Sequence, residues 1–265
     1  MKRRLTVVTA LLLYAALAQG GPGPDPLRLE APEDLGPVIG EVVELFSRES
    51  GLRVETVLRA ESAPGPSRAP GGLVLASGGD AVRALLYRDL VLAVPAGNPK
   101  LVFALGDLAR PGTRIAIAGS GAGELGAATR ELLAKEDPDG RLRGNIVMRL
   151  DGTVALADAL VRGDADAAIV WDTAKTLRPG KIGEIRLRAP RRPLAVAFPG
   201  DDGGSASARK LAAFLEGERA RALFASHALS LEPVKEPTDS DLDFYRNSPR
   251  HKFHYIYQLL ARQIV

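Results

Sequence analysis

The sequence predicts an α/β protein of two lobes, with the chain crossing between them twice. Three observations predict it. Between Arg114 and Trp171, short apolar strands alternate with amphipathic helices, the pattern of parallel strands joined by helical crossovers. Two apolar extended segments, "LVLAVPAGNP" (Leu90–Pro99) and "PLAVAFPGDD" (Pro193–Asp202), form a matched pair about a hundred residues apart. A complete α/β unit lies between them, and further strands and helices lie on either side. Residues 27–92 and 200–231 therefore make a discontinuous first lobe. Residues 93–199 make the second, inserted lobe, which carries the hinge strands. Two lobes joined in this way leave a cleft and a place to bend.

The elements follow in order. "LRLEAP" (Leu27–Pro32) reads as a strand. Apolar residues at Leu35, Val38, Ile39, Val42, Val43, Leu45 and Phe46 give one buried face to a helix that Gly51 ends. "LRVETVL" (Leu52–Leu58) alternates and reads as a strand. Ala60 to Gly72 is a loop rich in Pro, Gly and Ser. "GLVLAS" (Gly72–Ser77) is a buried strand, and "DAVRALL" (Asp80–Leu86) a short helix. In the second lobe "RIAIAG", "NIVMRL" and "DAAIVW" are strands. Ala122–Glu136 and Thr153–Arg162 are helices. "SASARKLAAFLEGERARALFASHAL" gives two closing helices that separate near Gly217. The remainder, residues 232–265, is a polar and then aromatic-basic extension.

Composition narrows the function classes. The chain has no cysteine, which removes disulfides, thiolate metal sites and a cysteine nucleophile. Its three histidines all lie beyond residue 226, so a histidine-rich metal site in the main body is excluded as well. A net charge of +3 with scattered basic residues gives no nucleic-acid arm. Residues 1–18 have a basic start, a short apolar run and an A-x-A ending at Ala18, the form of a secretory signal peptide. The other reading of that run is an uncleaved anchor. The mature chain is expected in the periplasm or outside the cell.

Five segments carry a family resemblance, among them the closing helices "ASARKLAAFLEGERARALFASHAL". "EVVELFSRESGLRVE" and "LVLAVPAGNP", followed by "LGDLARPGTRIAIAG", account for the first helix and the first crossing. "AGELGAATREL" and "TVALADALVRGDADAAIVWDTA" account for the inserted lobe. In these the chain resembles the type II periplasmic solute-binding proteins, and most of all the molybdate-binding branch of the ABC-transporter receptors. The resemblance spans 27–229. It implies a small tetrahedral oxyanion held by backbone N–H groups at helix starts, and an ABC permease as partner. It also implies a monomer, no cofactor and no resident metal. Converging helix starts carry partial positive charge and spare donors, so such a site needs no lysine or arginine.

Residue by residue, the resemblance puts Ala122 and Gly123 at a helix start facing the ligand. An ordinary glycine-rich turn is the alternative there. Val154 would contribute its N–H at the next helix start. Trp171 stands where the family has a tyrosine whose hydroxyl touches the ligand; packing between the lobes is its other reading. Asp34 takes the place of a family serine, with Glu30 and Glu33 nearby, and Ser62 is the candidate for a second. A desolvated carboxylate facing a dianion is costly. Either Asp34 caps its helix in solvent, or the ligand is cationic, zwitterionic or metal-containing. Asp166 matches a family aspartate and reads as structural.

The leading expectation is thus an extracytoplasmic receptor that delivers a solute to a permease. The alternative is an accessory or sensor protein of the same fold, with a different ligand or none. An enzyme is disfavoured. There is no G-x-S-x-G, H-E-x-x-H or Walker motif, and Ser120 has no visible base.

Overall fold

The computed structural model describes residues 26–60, 72–77, 84–199, 203–229 and 231. The expected signal peptide, Ser62 and the C-terminal extension lie outside the described residues.

Two five-stranded sheets organise the chain. The first has the order β2-β1-β3-β10-β4. Its strands are β1 (Leu27–Pro32), β2 (Val54–Arg59), β3 (Leu73–Ser77), β4 (Ala84–Arg88) and β10 (Arg192–Ala197). β1 runs parallel to β2 and β3, while β10 runs antiparallel to β3 and β4. The second sheet has the order β7-β6-β8-β5-β9. It contains β5 (Leu90–Pro95), β6 (Ile115–Ala118), β7 (Ile146–Leu150), β8 (Ala167–Trp171) and β9 (Ile182–Arg186). β6 is parallel to β7 and β8; β5 is antiparallel to β8 and β9.

Each sheet has its own core. In the first lobe, α1 (Gly36–Ser50) turns Val38, Ile39, Val42 and Phe46 onto the sheet. This is the face that the apolar spacing predicts. Gly51, at φ 71°, stops it with a left-handed C-cap. The closing helices α5 (Ala206–Glu216) and α6 (Glu218–Ser226) bury Leu211, Leu215 and Phe224 in the same core. In the second lobe α2 (Gly123–Glu136), α3 (Thr153–Arg162) and α4 (Thr173–Leu177) follow β6, β7 and β8 in turn. Four of the five residues of β8 are aliphatic, and all five are buried.

The chain crosses twice between the sheets, and the structure locates both crossings. The first is β4–Asp89–β5, two strands separated by one residue. The second is the segment Leu187–Arg191 between β9 and β10. The two apolar segments that suggest hinges each lie in one sheet: Leu90–Pro95 pairs only in the second, and Arg192–Ala197 only in the first.

One element is corrected. The helix expected over Asp80–Leu86 gives way, from Ala84, to strand β4. Its apolar stretch is too short for periodicity to separate helix from strand, and pairing of Leu86 with Leu194 of β10 decides the matter. The strand β9 and the short helix α4 are further elements that the sequence pattern does not announce.

Candidate functional site

The parallel strands β6, β7 and β8 end on one edge of the second sheet, the edge where open α/β sheets place ligands. The loops there are drawn together by hydrogen bonds. The Gly119 N–H donates to the Leu150 carbonyl at 2.9 Å and so ties the end of β6 to the end of β7. The Ala122 N–H donates to the Gly119 carbonyl at 3.1 Å and closes the turn into α2. Gly126, one turn into α2, faces that carbonyl, and a Cβ there would stand 2.4 Å from it. Glycine is therefore required for the helix to sit this close to the loop.

Two helix starts result, side by side. The N-caps of α2 and α3 are Ala122 and Gly152, and neither helix has a side-chain cap. Gly123 is exposed and has φ 47°; Val154 is half-buried, and the Ala122 side chain is fully buried. The Thr153 hydroxyl, at the first position of α3, is buried and without a hydrogen-bond partner. Glu124 does not add its charge at the start of α2 unopposed: its carboxylate pairs with Arg192 of β10 at 3.1 Å.

From the first lobe, the 3-10 turn Glu33–Leu35 leads out of β1 and packs against α3 and α4. Asp34 sits on it, 3% exposed. It does not cap α1, which has no side-chain cap. Instead its carboxylate reaches across the seam. Thr173 Oγ1 donates to Asp34 Oδ2 at 2.7 Å, and Arg88 Nη1 lies 3.7 Å from the same oxygen. The other oxygen, Oδ1, is buried and has no hydrogen-bond partner. The solvated acidic start suggested by Glu30 and Asp34 is thereby corrected. Glu30 is also buried, paired to Arg28 at 3.2 Å and Arg59 at 3.0 Å.

Arg88, at the end of β4, is 1% exposed. Its Nη2 donates to Ser77 Oγ at 2.5 Å. Its guanidinium carbon lies 4.6 Å from the centre of the Trp171 ring, a cation–π contact between the lobes. Trp171 is 0% exposed. The indole does not look into an open gap. It is buried, in register with Leu90 at the first crossing. Trp171 is packed against Arg88 between the lobes.

Further contacts hold the lobes together. Arg192 pairs with Glu131 as well as Glu124, and Thr176 Oγ1 donates to the His227 carbonyl at 3.1 Å. At the crossings themselves Arg191 donates to Asp89 at 2.7 Å, so the two connecting segments are pinned to each other. Beside this pair lie two unusual carboxyls. Burial pushes Asp172 up to about 8, with the charges of Asp89 and Glu184 adding to the effect. Burial likewise raises Glu184 to about 7, against the pull of Lys175. Asp166 lies elsewhere, before β8. Burial opposes its charge, but hydrogen bonds from Arg114 outweigh this and hold it below the usual carboxylate range. It is a brace between β8 and the strand beside it.

The structure thus brings Asp34 to Trp171 through Arg88, and it sets Ala122 and Gly123 next to the strand that leads to Val154. Sequence reasoning does not single out Arg88 or Thr173. The signal for Arg88 is a lone cation inside the apolar run "ALLYRDLVLAV". A groove of about 480 Å³ lined by Arg130, Asp137, Arg143 and Arg149 includes none of the seam residues. Among the described residues, no cluster of three His, Asp or Glu side chains is placed to hold a metal ion.

Comparison with known proteins gives a consistent picture. The family model described as bacterial extracellular solute-binding protein matches residues 57–228. The chain is similar in structure to Peb3 of Campylobacter jejuni bound to L-phospholactate. The TM-score is 0.65 and the identity 18%, over 78% of this chain and 100% of that one. It is similar to the sulfate-binding protein SubI of Mycobacterium tuberculosis, with a TM-score of 0.62 and 18% identity, over 84% of this chain and 91% of that one. It is also similar to the periplasmic molybdate-binding protein of Azotobacter vinelandii, with a TM-score of 0.59 and 14% identity, over 78% and 100%. At these identities the likeness establishes the fold. No protein of curated function matches the sequence.

Proposed function

Because the chain belongs to the bacterial extracellular solute-binding protein family, we propose that it is the extracytoplasmic receptor of an ABC transporter, closing its two lobes on a small oxyanion. The single observation that carries this reading is the pair of helix starts at Gly123 and Thr153. They lack side-chain caps and are drawn together by the Gly119–Leu150 bond. Helix starts of this kind offer backbone donors and partial positive charge to an anion. Ala122, Gly123 and Val154 serve through their backbone, Ser62 from the first lobe, and Trp171 as the apolar floor.

Molybdate and tungstate are the anions that the family resemblance implies, and three fold relatives are named for binding phospholactate, sulfate and molybdate. The receptor works as a monomer in the periplasm or outside the cell, sent there by residues 1–18, and hands its solute to a permease. Hinge motion about the Asp89–Arg191 pair opens and closes the seam, and a solute that touches both lobes shifts the population to the closed form.

A second reading is favoured by one observation, the buried carboxylate of Asp34 where the family has a serine. On that reading the protein is an accessory or sensor of the same fold, with a cationic, zwitterionic or metal-containing ligand. A thermal-shift panel separates the two. Molybdate, tungstate, sulfate, phosphate, divalent metals and amino acids are each added to the full chain, and a bound solute raises the melting point by mass action. A rise with an oxyanion, together with a change in emission of the only tryptophan, supports the receptor. A rise confined to cations or amino acids supports the accessory reading.

A further inference from the structure

The inserted lobe carries a second concave surface, away from the seam. It is a groove of about 480 Å³ between the end of α2, the turn that follows it and the edge strand β7. That volume is in the range of small-molecule sites. Leu133 and Ile146 give the groove an apolar wall, while Arg130 of α2, Arg143 of the turn and Arg149 of β7 converge on it. The turn is held firmly. Asp137 Oδ1 accepts from the Arg141 N–H at 2.9 Å, and Oδ2 from the Leu142 N–H at 3.0 Å. Asn145 Nδ2 donates to the Leu108 carbonyl at 2.7 Å. Arg143 folds over Gly140, where an added Cβ would stand 2.7 Å from its Nε, and Gly140 has φ 68°. Arg130 Nη1 donates to the Ser120 carbonyl at 3.4 Å. Asp137 also lines the groove, but both its oxygens are already engaged. Among the described residues none of the three arginines forms an ion pair. In the same lobe Arg110, Arg114, Arg162 and Arg178 each pair with an aspartate.

We propose that this groove is a second ligand site, and that it takes an organic polyanion: two or more carboxylate or phosphate groups on a compact apolar frame. A guanidinium presents paired N–H donors that match the oxygens of a carboxylate or a phosphate. Three guanidinium groups around one space repel each other, and an anion with several charges relieves that repulsion at each of them. The wall formed by Leu133 and Ile146 favours a ligand with a hydrocarbon frame over a bare inorganic anion. The arginines are exposed, so binding weakens as ionic strength rises. The groove includes neither helix start of the seam, so it fills or stays empty independently of the solute taken there.

Isothermal titration of the full chain at low salt tests this with three probes. Trimesate is a benzene ring with three carboxylates, benzoate has the same frame with one charge, and inorganic phosphate has charge without a frame. Binding is assigned to the groove by its loss in the double variant Arg143→Gln with Arg149→Gln. Both side chains are exposed, so the variant is expected to melt with the native chain. Trimesate is expected to bind the native chain at least tenfold more tightly than benzoate or groove-bound phosphate, and to weaken at least tenfold in the double variant. Arg130→Gln, on a separate element, is expected to weaken trimesate severalfold, and it covers the case in which the double variant does not fold. Trimesate binding unchanged in both variants, or absent from the native chain, overturns the proposal and leaves the receptor at the seam standing. Benzoate or groove-bound phosphate as tight as trimesate overturns the polyanion class.

Discussion

Arg88 is the residue whose placement costs most and explains most. A guanidinium taken out of water loses several kcal/mol of hydration, and it is retained only where its surroundings return that loss. Here the return comes from Asp34, the Ser77 hydroxyl and the face of Trp171. Removing the cation alone strands the carboxylate in the seam. Arg88→Met is therefore expected to destabilise the protein by about 3–5 kcal/mol. Removing both charges, in Arg88→Met with Asp34→Leu, is expected to recover most of that loss. Chemical denaturation of the two variants beside the native chain checks the pair. A double variant no more stable than the single one would show that Arg88 acts through packing on Trp171 and not through Asp34.

At the scale of elements, α2 depends on one missing methyl group. Gly126→Ala would place a Cβ 2.4 Å from the Gly119 carbonyl. The helix must then shift off the loop, at a cost of about 1–3 kcal/mol, typical of overpacking. A fall in the denaturation midpoint, accompanied by weaker solute binding, is the expected result, because the same shift spoils the start of α2. Such elements show what the sequence makes legible. The helix α1 announces itself through Val38, Ile39, Val42 and Phe46, and its end through Gly51, since both signals lie within neighbouring residues. The strand β8 is readable from its apolar run alone. Strand β4 is not. Its partner β10 lies a hundred residues away, and only pairing with it turns "ALLYR" into a strand. The seam is less legible still. Asp34 and Thr173 are 139 residues apart, and nothing local to either marks them as partners. Family resemblance brings out the backbone-donor loops, because their glycines follow a pattern. It gives no hint of the buried ion pair that departs from it.

For the whole molecule, the two crossings meet in one small polar core, and this makes stability depend on pH. Asp89 lies between β4 and β5, and Arg191 lies between β9 and β10, so their 2.7 Å bond fixes the pivot of both lobes. Asp172 is next to that pivot, its N–H donating to the Asp89 carbonyl at 2.9 Å. Its carboxyl is pushed up to about 8 by burial and by the charges of Asp89 and Glu184. The unfolded chain ionises such a group near pH ~4. Between those two values the native state holds a proton that the unfolded state has lost. The stability linked to it is complete below about pH 4, declines as pH rises, and is lost above about pH 8. Glu184, raised to about 7, acts in the same sense over a narrower window. The melting point is therefore expected to fall between pH 5 and pH 9. Asp172→Asn cannot ionise, so its melting curve should be flatter, close to the native chain near pH 5 and above it by several °C near pH 8.5, on the order of a few kcal/mol. The consequence reaches function through geometry. A charge appearing at Asp172 stands beside a contact shared by both connecting segments, so alkaline pH is expected to loosen the pivot. Solute affinity of the native chain should then decline over the same range as its melting point, while Asp172→Asn keeps its affinity. A parallel decline in the variant would assign the pH dependence to the solute's own protons.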